Sequence, residues 1–174
     1  MARELDVQPV LLGFLIAGPK HAYELHQEFA RELGRVWRVG RSKLYTQLKQ
    51  IAERGWATIQ VETPANRPPR QIYHLTPTGR QVFFDWLHQP ASHLRHFRLA
   101  FPTRLYFFRR LALPGLDKLV AEQKTLLEAQ VESLDRAAGQ ANDDFWRLVL
   151  TFRHSQTEAV VQWLDLCVQF DDKN

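Results

Sequence analysis

The chain has 174 residues, 45% hydrophobic and 24% charged, which places it in the globular class with enough apolar material for one domain or two small ones. A single cysteine, Cys167, excludes an internal disulfide and a multi-cysteine zinc site, in keeping with a reducing cytoplasm. The net charge of +4 and pI near 9.5 point to a polyanionic partner, and the charge is uneven: residues 31–80 carry 10 Lys+Arg against 3 Asp+Glu, whereas residues 91–174 carry 11 of each.

Asp6 is a candidate N-cap for a first helix, with Pro9 in its opening turn and Val10, Leu11, Leu12, Phe14, Leu15 and Ile16 following. That helix is apolar on nearly every face, which predicts burial within the chain or between subunits. The run "PVLLGFLIAG" (9–18) is about half the length of a bilayer span, and the acidic Glu4 and Asp6 before it do not suit a signal peptide. No membrane segment is therefore expected. "AGPKH" (17–21) breaks the helix, because Gly and Pro cannot continue its ladder.

A second helix places Ala22, Leu25, Phe29 and Leu33 on one face and stops at Gly34. After a loop whose Trp37 and Val39 can plug a core, "RSKLYTQLKQIAERGW" (41–56) forms a third, closed by Gly55. Leu44, Leu48 and Ile51 share its inner face. Its outer face carries Arg41, Ser42, Lys43, Thr46, Gln47, Lys49 and Gln50, with only Glu53 opposing the positive charge. A solvated face usually mixes both signs, so this surface is lopsided.

The period then changes. "WATIQVETP" (56–64) and "QIYHLT" (71–76) alternate like strands, and "PANRPPR" (64–70) between them makes a stiff, cationic hairpin tip. Thr76 caps a fourth helix with Pro77 at its first position. Residues 88–97 read as a linker. Beyond it the pattern is all helical: one helix starting at Pro102 and ending at Pro114-Gly115, then two long ones joined at Gly139, the second capped by Asn142. Val120, Leu127 and Leu134 repeat every seven residues, as do Phe145, Phe152, Ala159 and Leu166, and Val149, Gln156, Trp163 and Phe170. Such seams predict an antiparallel helical hairpin that pairs with a second copy, with Phe145, Val149, Phe152, Trp163 and Phe170 in the homodimer interface.

The expected fold is mainly α with a small β-hairpin wing: a winged helix-turn-helix domain over residues 1–90 and a C-terminal α-helical dimerisation domain over residues 98–174. The geometry accounts for the lopsided helix. The second helix of a helix-turn-helix enters the DNA major groove and offers its N-terminal residues to base edges. Arg41 and Lys43 suit phosphates or guanine acceptors, Ser42, Thr46 and Gln47 can bond bases or backbone, and Tyr45 can bond or pack. Lys49 extends the cationic face, while Asn66, Arg67 and Arg70 on the wing would track a neighbouring backbone or the minor groove.

At these residues the chain resembles the PadR family of bacterial transcriptional regulators. The matching pieces are "LLGFLIAGPKHAYEL" (11–25), "SKLYTQLKQIAERGW" (42–56) and "PPRQIYHLTPTGRQ" (68–81). Thr46 stands where many relatives have proline, and Ala22 where the family often has glycine. The resemblance implies a dimeric repressor of double-stranded DNA with an inverted-repeat operator. Trp86, Phe101, Tyr106, Phe107, Phe108, Trp146 and Trp163 could surround a small aromatic effector, as the family's phenolic-acid sensors suggest, although such aromatic stripes more often form core or dimer interface. A second class of function stays open on the residues alone: a winged helix that binds protein, with a helical part that only oligomerises.

Enzymatic readings find no support. The chain has no G-x-S-x-G, no phosphate-cradling glycine loop and no H-E-x-x-H. His88, His93 and His96 are better read as solvated linker residues than as metal ligands, and Cys167 as core, so neither metal nor cofactor is expected.

Overall fold

The computed structural model describes residues 6–63 and 70–171, with side chains described through Val168. The chain divides into two units, one formed by Met1–Gln89 with His96–Leu113 and the other by Pro90–Arg95 with Pro114–Asn174.

In the first unit, α1 (Gln8–Ile16) is buried from Gln8 to Leu15. Its N-cap residue is Val7, not Asp6; Asp6, one position earlier, accepts the Gln8 N–H at 3.0 Å. Phe14 packs against Phe29 and edge-on against Phe107, with ring centroids 6.1 and 5.3 Å apart. Gly13 makes this approach possible, since a Cβ there would lie 2.6 Å from atoms of both Phe83 and Phe107. β1 (Lys20–His21) follows, within the segment read from sequence only as a break.

α2 (Ala22–Leu33) buries Leu25, Phe29 and Leu33, and α3 (Arg41–Glu53) buries Leu44, Leu48 and Ile51, the apolar stripes that the sequence spacing predicts. Trp37 from the loop between them packs edge-on against Phe29. Gly55, at φ +70°, makes the left-handed turn out of α3. β2 (Ala57–Glu62) and β3 (Arg70–Leu75) pair in antiparallel register from Ala57↔Leu75 to Glu62↔Arg70. β1 adds to the other edge of β3 through Lys20↔Tyr73 and His21↔Ile72, giving the order β1-β3-β2. Only Ala57 of β2 is buried; Ile59 and Val61 remain 39% and 58% exposed despite the alternating pattern.

α4 (Pro77–Leu87) starts as its sequence requires, with Thr76 Oγ1 accepting the Gly79 N–H at 3.0 Å. The same hydroxyl donates to the Gly55 carbonyl at 2.8 Å, tying the start of α4 to the end of α3. α5 (Leu94–Arg110) corrects the sequence reading in two ways. The connection is shorter than residues 88–97, and Pro102 lies inside the helix instead of starting it. The reason is burial on both sides of the proline: Phe97, Ala100 and Phe101 before it, Arg104, Phe107 and Phe108 after it. Thr103 Oγ1 donates to the Leu99 carbonyl at 2.6 Å beside the position where Pro102 has no N–H to give. From His96 onward α5 belongs to the same compact unit as the winged helix.

The second unit is a helical pair, α6 (Leu116–Gln140) and α7 (Asp144–Asp171). Lys124 Nζ lies 2.7 Å from Asp165 Oδ1, joining the first half of α6 to the last part of α7, so the helices run antiparallel. Leu116, Leu119, Val120, Leu127 and Leu134 of α6 are buried, as are Thr157, Leu164 and Cys167 of α7. Asp143, not Asn142, caps α7: its Oδ1 accepts the Trp146 N–H at 3.0 Å. Gln123 is fully buried and bonds both the N–H and the carbonyl of Ala91, at 2.6 and 3.0 Å. It holds the connecting segment to α6 as a neighbouring strand would.

Candidate nucleic-acid interface

The outer face of α3 forms one polar surface. Arg41, Ser42, Lys43, Tyr45, Thr46 and Lys49 are all exposed on it. Thr46 Oγ1 donates to the Ser42 carbonyl at 3.0 Å, which leaves the oxygen free to accept. Lys49 lies 3.7 Å from Glu53, with both side chains in solvent, so the pair is worth little and yields readily to a stronger anion. The Arg41 guanidinium sits over the Tyr23 ring at 5.9 Å, which links the start of α3 to α2.

Gln47 is placed differently. It is half-buried, and its Oε1 accepts from Gln8 Nε2 at 2.9 Å. Gln8 Nε2 donates equally to Gln50 Oε1 at 2.9 Å, and Arg54 Nη1 donates to Gln8 Oε1 at 2.8 Å. Arginine can only donate, so its bond fixes which end of the Gln8 amide accepts, and that orients the other two amides in turn. Gln47 is thereby left with its Nε2 donors to offer. A helical-wheel reading of α3 does not reveal this network, because its centre lies on α1, among apolar neighbours.

Arg70 begins β3 and is exposed opposite Glu62. Asn66 and Arg67, the other wing residues expected to contact DNA, lie outside the described residues. Between α3 and the wing strands runs a cleft of about 800 Å³, bordered by Tyr45, Lys49, Ile59, Arg70 and Tyr73, and also by Tyr23 at the start of α2. The sequence pattern did not single out Tyr23. Its one signal was a large aromatic on a helix whose buried face is occupied by Leu25, Phe29 and Leu33.

The residues expected to pair with a second copy separate into two groups. Phe145 and Phe152 are exposed along α7 together with Leu148 and Leu166, whereas Val149 and Trp163 are half-buried. The Phe170 side chain lies outside the described residues. Of the aromatics considered for an effector, Phe101, Phe107 and Phe108 are core residues of the first unit, and Trp146 is exposed. Trp86 lies under the Arg104 guanidinium at 5.0 Å, and Arg104 Nε donates to the Trp86 carbonyl at 2.9 Å. Burial without a compensating acid lowers the Arg104 pKa to about 10.

Among the described residues, no group of three or more His, Cys, Asp or Glu is placed to hold a metal ion. His88 instead bonds the Phe84 carbonyl through Nδ1 at 2.9 Å and packs edge-on against Phe108. No described helix is long and apolar enough to cross a membrane.

Comparison with known proteins adds the relationship. The chain is 26% identical over 177 aligned residues to the negative transcriptional regulator PadR of Bacillus subtilis, covering 94% of this chain and 96% of the relative. Among solved structures it is similar to B. subtilis PadR in complex with operator DNA, at 23% identity, TM-score 0.49 and coverage of 94% and 98% of the two chains. It is also similar to the same protein in complex with p-coumaric acid, at 24% identity, TM-score 0.42 and coverage of 97% and 96%. Residues 97–170 match the model described as the virulence activator alpha C-terminal family. Residues 11–84 match the transcriptional regulator PadR-like family, a span that runs from within α1 through most of α4 and includes both wing strands. That span is a domain of the transcriptional regulator PadR-like family.

Proposed function

We propose that the protein is a homodimeric repressor that reads an inverted-repeat operator with α3 and grips the flanking backbone with its wing. The observation that carries the reading is the outer face of α3: exposed cations, hydroxyls and a tyrosine, beside a wing strand that begins at Arg70, on a domain of a transcriptional-regulator family. The relative's description as a negative regulator supports repression over activation. The work is binding and not turnover, carried out in the cytoplasm, and it calls for no cofactor.

Dimerisation is supported by α7. Phe145, Leu148, Phe152 and Leu166 fall at steps of three, four and fourteen, the last being two heptads, and all four are exposed. A second copy laid along that stripe would cover apolar surface that soluble proteins avoid presenting to water. A two-fold axis then spaces the recognition helices about 34 Å apart, one turn of DNA, or a multiple of it.

Release by a small aromatic acid completes the proposal. Arg104 Nη1 is buried with no hydrogen-bond partner among the described residues, on a guanidinium stacked over Trp86. A buried cation of this kind favours a carboxylate, and Trp86, over which it stacks, offers ring surface on α4.

The test is binding to the duplex upstream of the protein's own gene, against random duplex of equal length, across a salt series. Tight, salt-sensitive binding that prefers the upstream duplex is expected. Equal, weak binding to both would favour a winged helix that contacts protein.

A further inference from the structure

The cleft beside α3 has a composition that the α3 face and the wing do not account for. Its walls include Tyr23, Tyr45, Ile59 and Tyr73, with Lys49 and Arg70 adding positive charge. Tyr73 is buried, whereas Tyr23 and Tyr45 remain 51% and 38% exposed. Exposed rings and an aliphatic side chain beside two cations suit a ligand that is anionic at one point and apolar at the next.

Hydrogen-bond accounting narrows the choice. The Tyr73 hydroxyl donates to Gln71 Oε1 at 3.2 Å, so its proton is in use. Tyr23 is the reverse case. Its oxygen accepts from Gln27 Nε2 at 2.6 Å, which leaves its own proton to be given and strengthens it as a donor. Glu24, the acid among the described lining residues, has Oε2 held by the His21 backbone N–H at 2.9 Å, in the cap of α2. The cleft therefore offers the Tyr23 hydroxyl, the Lys49 ammonium and the Arg70 guanidinium as donors, between the side chains of Tyr45 and Ile59.

We infer that this cleft holds one segment of the operator's sugar–phosphate backbone, and that Tyr23 on α2 is a DNA contact in addition to α3 and the wing. Phosphate oxygens accept from Tyr23, Lys49 and Arg70, and the adjoining deoxyribose packs on Tyr45 and Ile59. A cleft of about 800 Å³ is far larger than a lone phosphate and accommodates the nucleotide on either side. The inference rests on the proposal that α3 and the wing bind DNA, and it assigns to α2 a part in that binding. Because Tyr23 is neutral, it strengthens binding without releasing a further counterion.

The experiment uses the full chain and an operator selected from a random duplex pool. Tyr23→Phe keeps the ring under Arg41 and removes only the hydroxyl. It should bind every duplex, operator and random alike, about tenfold more weakly, with the slope of log affinity against log salt unchanged. Lys49→Ala should weaken binding and also flatten that slope. A scan of single neutral methylphosphonates should find one position per half-site at which wild type and Tyr23→Phe bind equally, with the tenfold gap kept elsewhere. Normal wild-type binding with Tyr23→Phe within twofold of it, or a gap that survives at every methylphosphonate position, overturns this inference alone. A wild type that binds no duplex overturns the parent proposal and this one together.

Discussion

Gln8 on α1 and Gln47 on α3, 39 residues apart in sequence, are joined by a 2.9 Å hydrogen bond at the edge of the DNA-reading helix. Gln8 is buried, and every bond it makes from its side chain goes to α3 or to Arg54 just beyond it. The orientation of α3 thus depends on one amide in a helix that is otherwise apolar.

Gln8→Leu should therefore lower stability by about 1–3 kcal/mol, because Gln47, Gln50 and Arg54 lose a common partner. Urea unfolding followed by circular dichroism reads this directly as a shift in midpoint. An unchanged midpoint would mean that solvent satisfies the three groups equally well and that the bond does not hold α3.

Phe152→Glu should convert the protein to monomers with helix content intact, since Phe152 is exposed on the α7 stripe and its loss removes no packing within the chain. Operator affinity should fall by at least a hundredfold, as two half-sites are no longer bound together. Sedimentation at micromolar concentration gives the answer, and a variant that remains dimeric would place the interface elsewhere. Trp163→Asp is a different experiment. Trp163 is half-buried within its own unit, so the substitution should cost folding stability as well.

Arg104→Met should leave the effector-free protein as stable or more stable, by up to about 3 kcal/mol, because a buried cation without an acid is replaced by an apolar chain of similar length. The sign of the pH dependence follows from a folded pKa of about 10, lowered from the ordinary arginine value. Below pH 10 both folded and unfolded chains hold the proton, and the full burial cost is present. Between the two values the unfolded chain binds more protons, so the wild type recovers ground on the variant as pH rises. Chemical denaturation of both proteins at pH 7 and near pH 10.5 should show the gap narrowing; a gap that widens would mean Arg104 has an acid partner.

Much of this architecture was legible from residue pattern. Thr76-Pro77 and the Leu44, Leu48, Ile51 stripe are local signals, a cap and a period, and both read correctly because the physics acting on them is local. β1 escaped notice since two residues carry no period, and only the free edge of β3 makes them a strand. Pro102 misled for the opposite reason: a strong local breaker lies on a helix whose buried side chains on both flanks outweigh it. At the site, the cations and hydroxyls of α3 follow from sequence. The Gln8 network and Tyr23 depend on side chains from different helices meeting, which no spacing along the chain encodes.

α3 and the wing are proposed to act together as one DNA-binding surface. This is tested most directly by fluorescence anisotropy of a labelled operator duplex, titrated with wild type and with the double variant Lys43→Ala, Arg70→Ala over a series of salt concentrations. Wild-type binding should be nanomolar and weaken steeply with salt. The double variant should bind at least tenfold more weakly, with a log–log slope reduced by roughly two for each subunit bound. A double variant with wild-type affinity and wild-type slope would contradict this proposal.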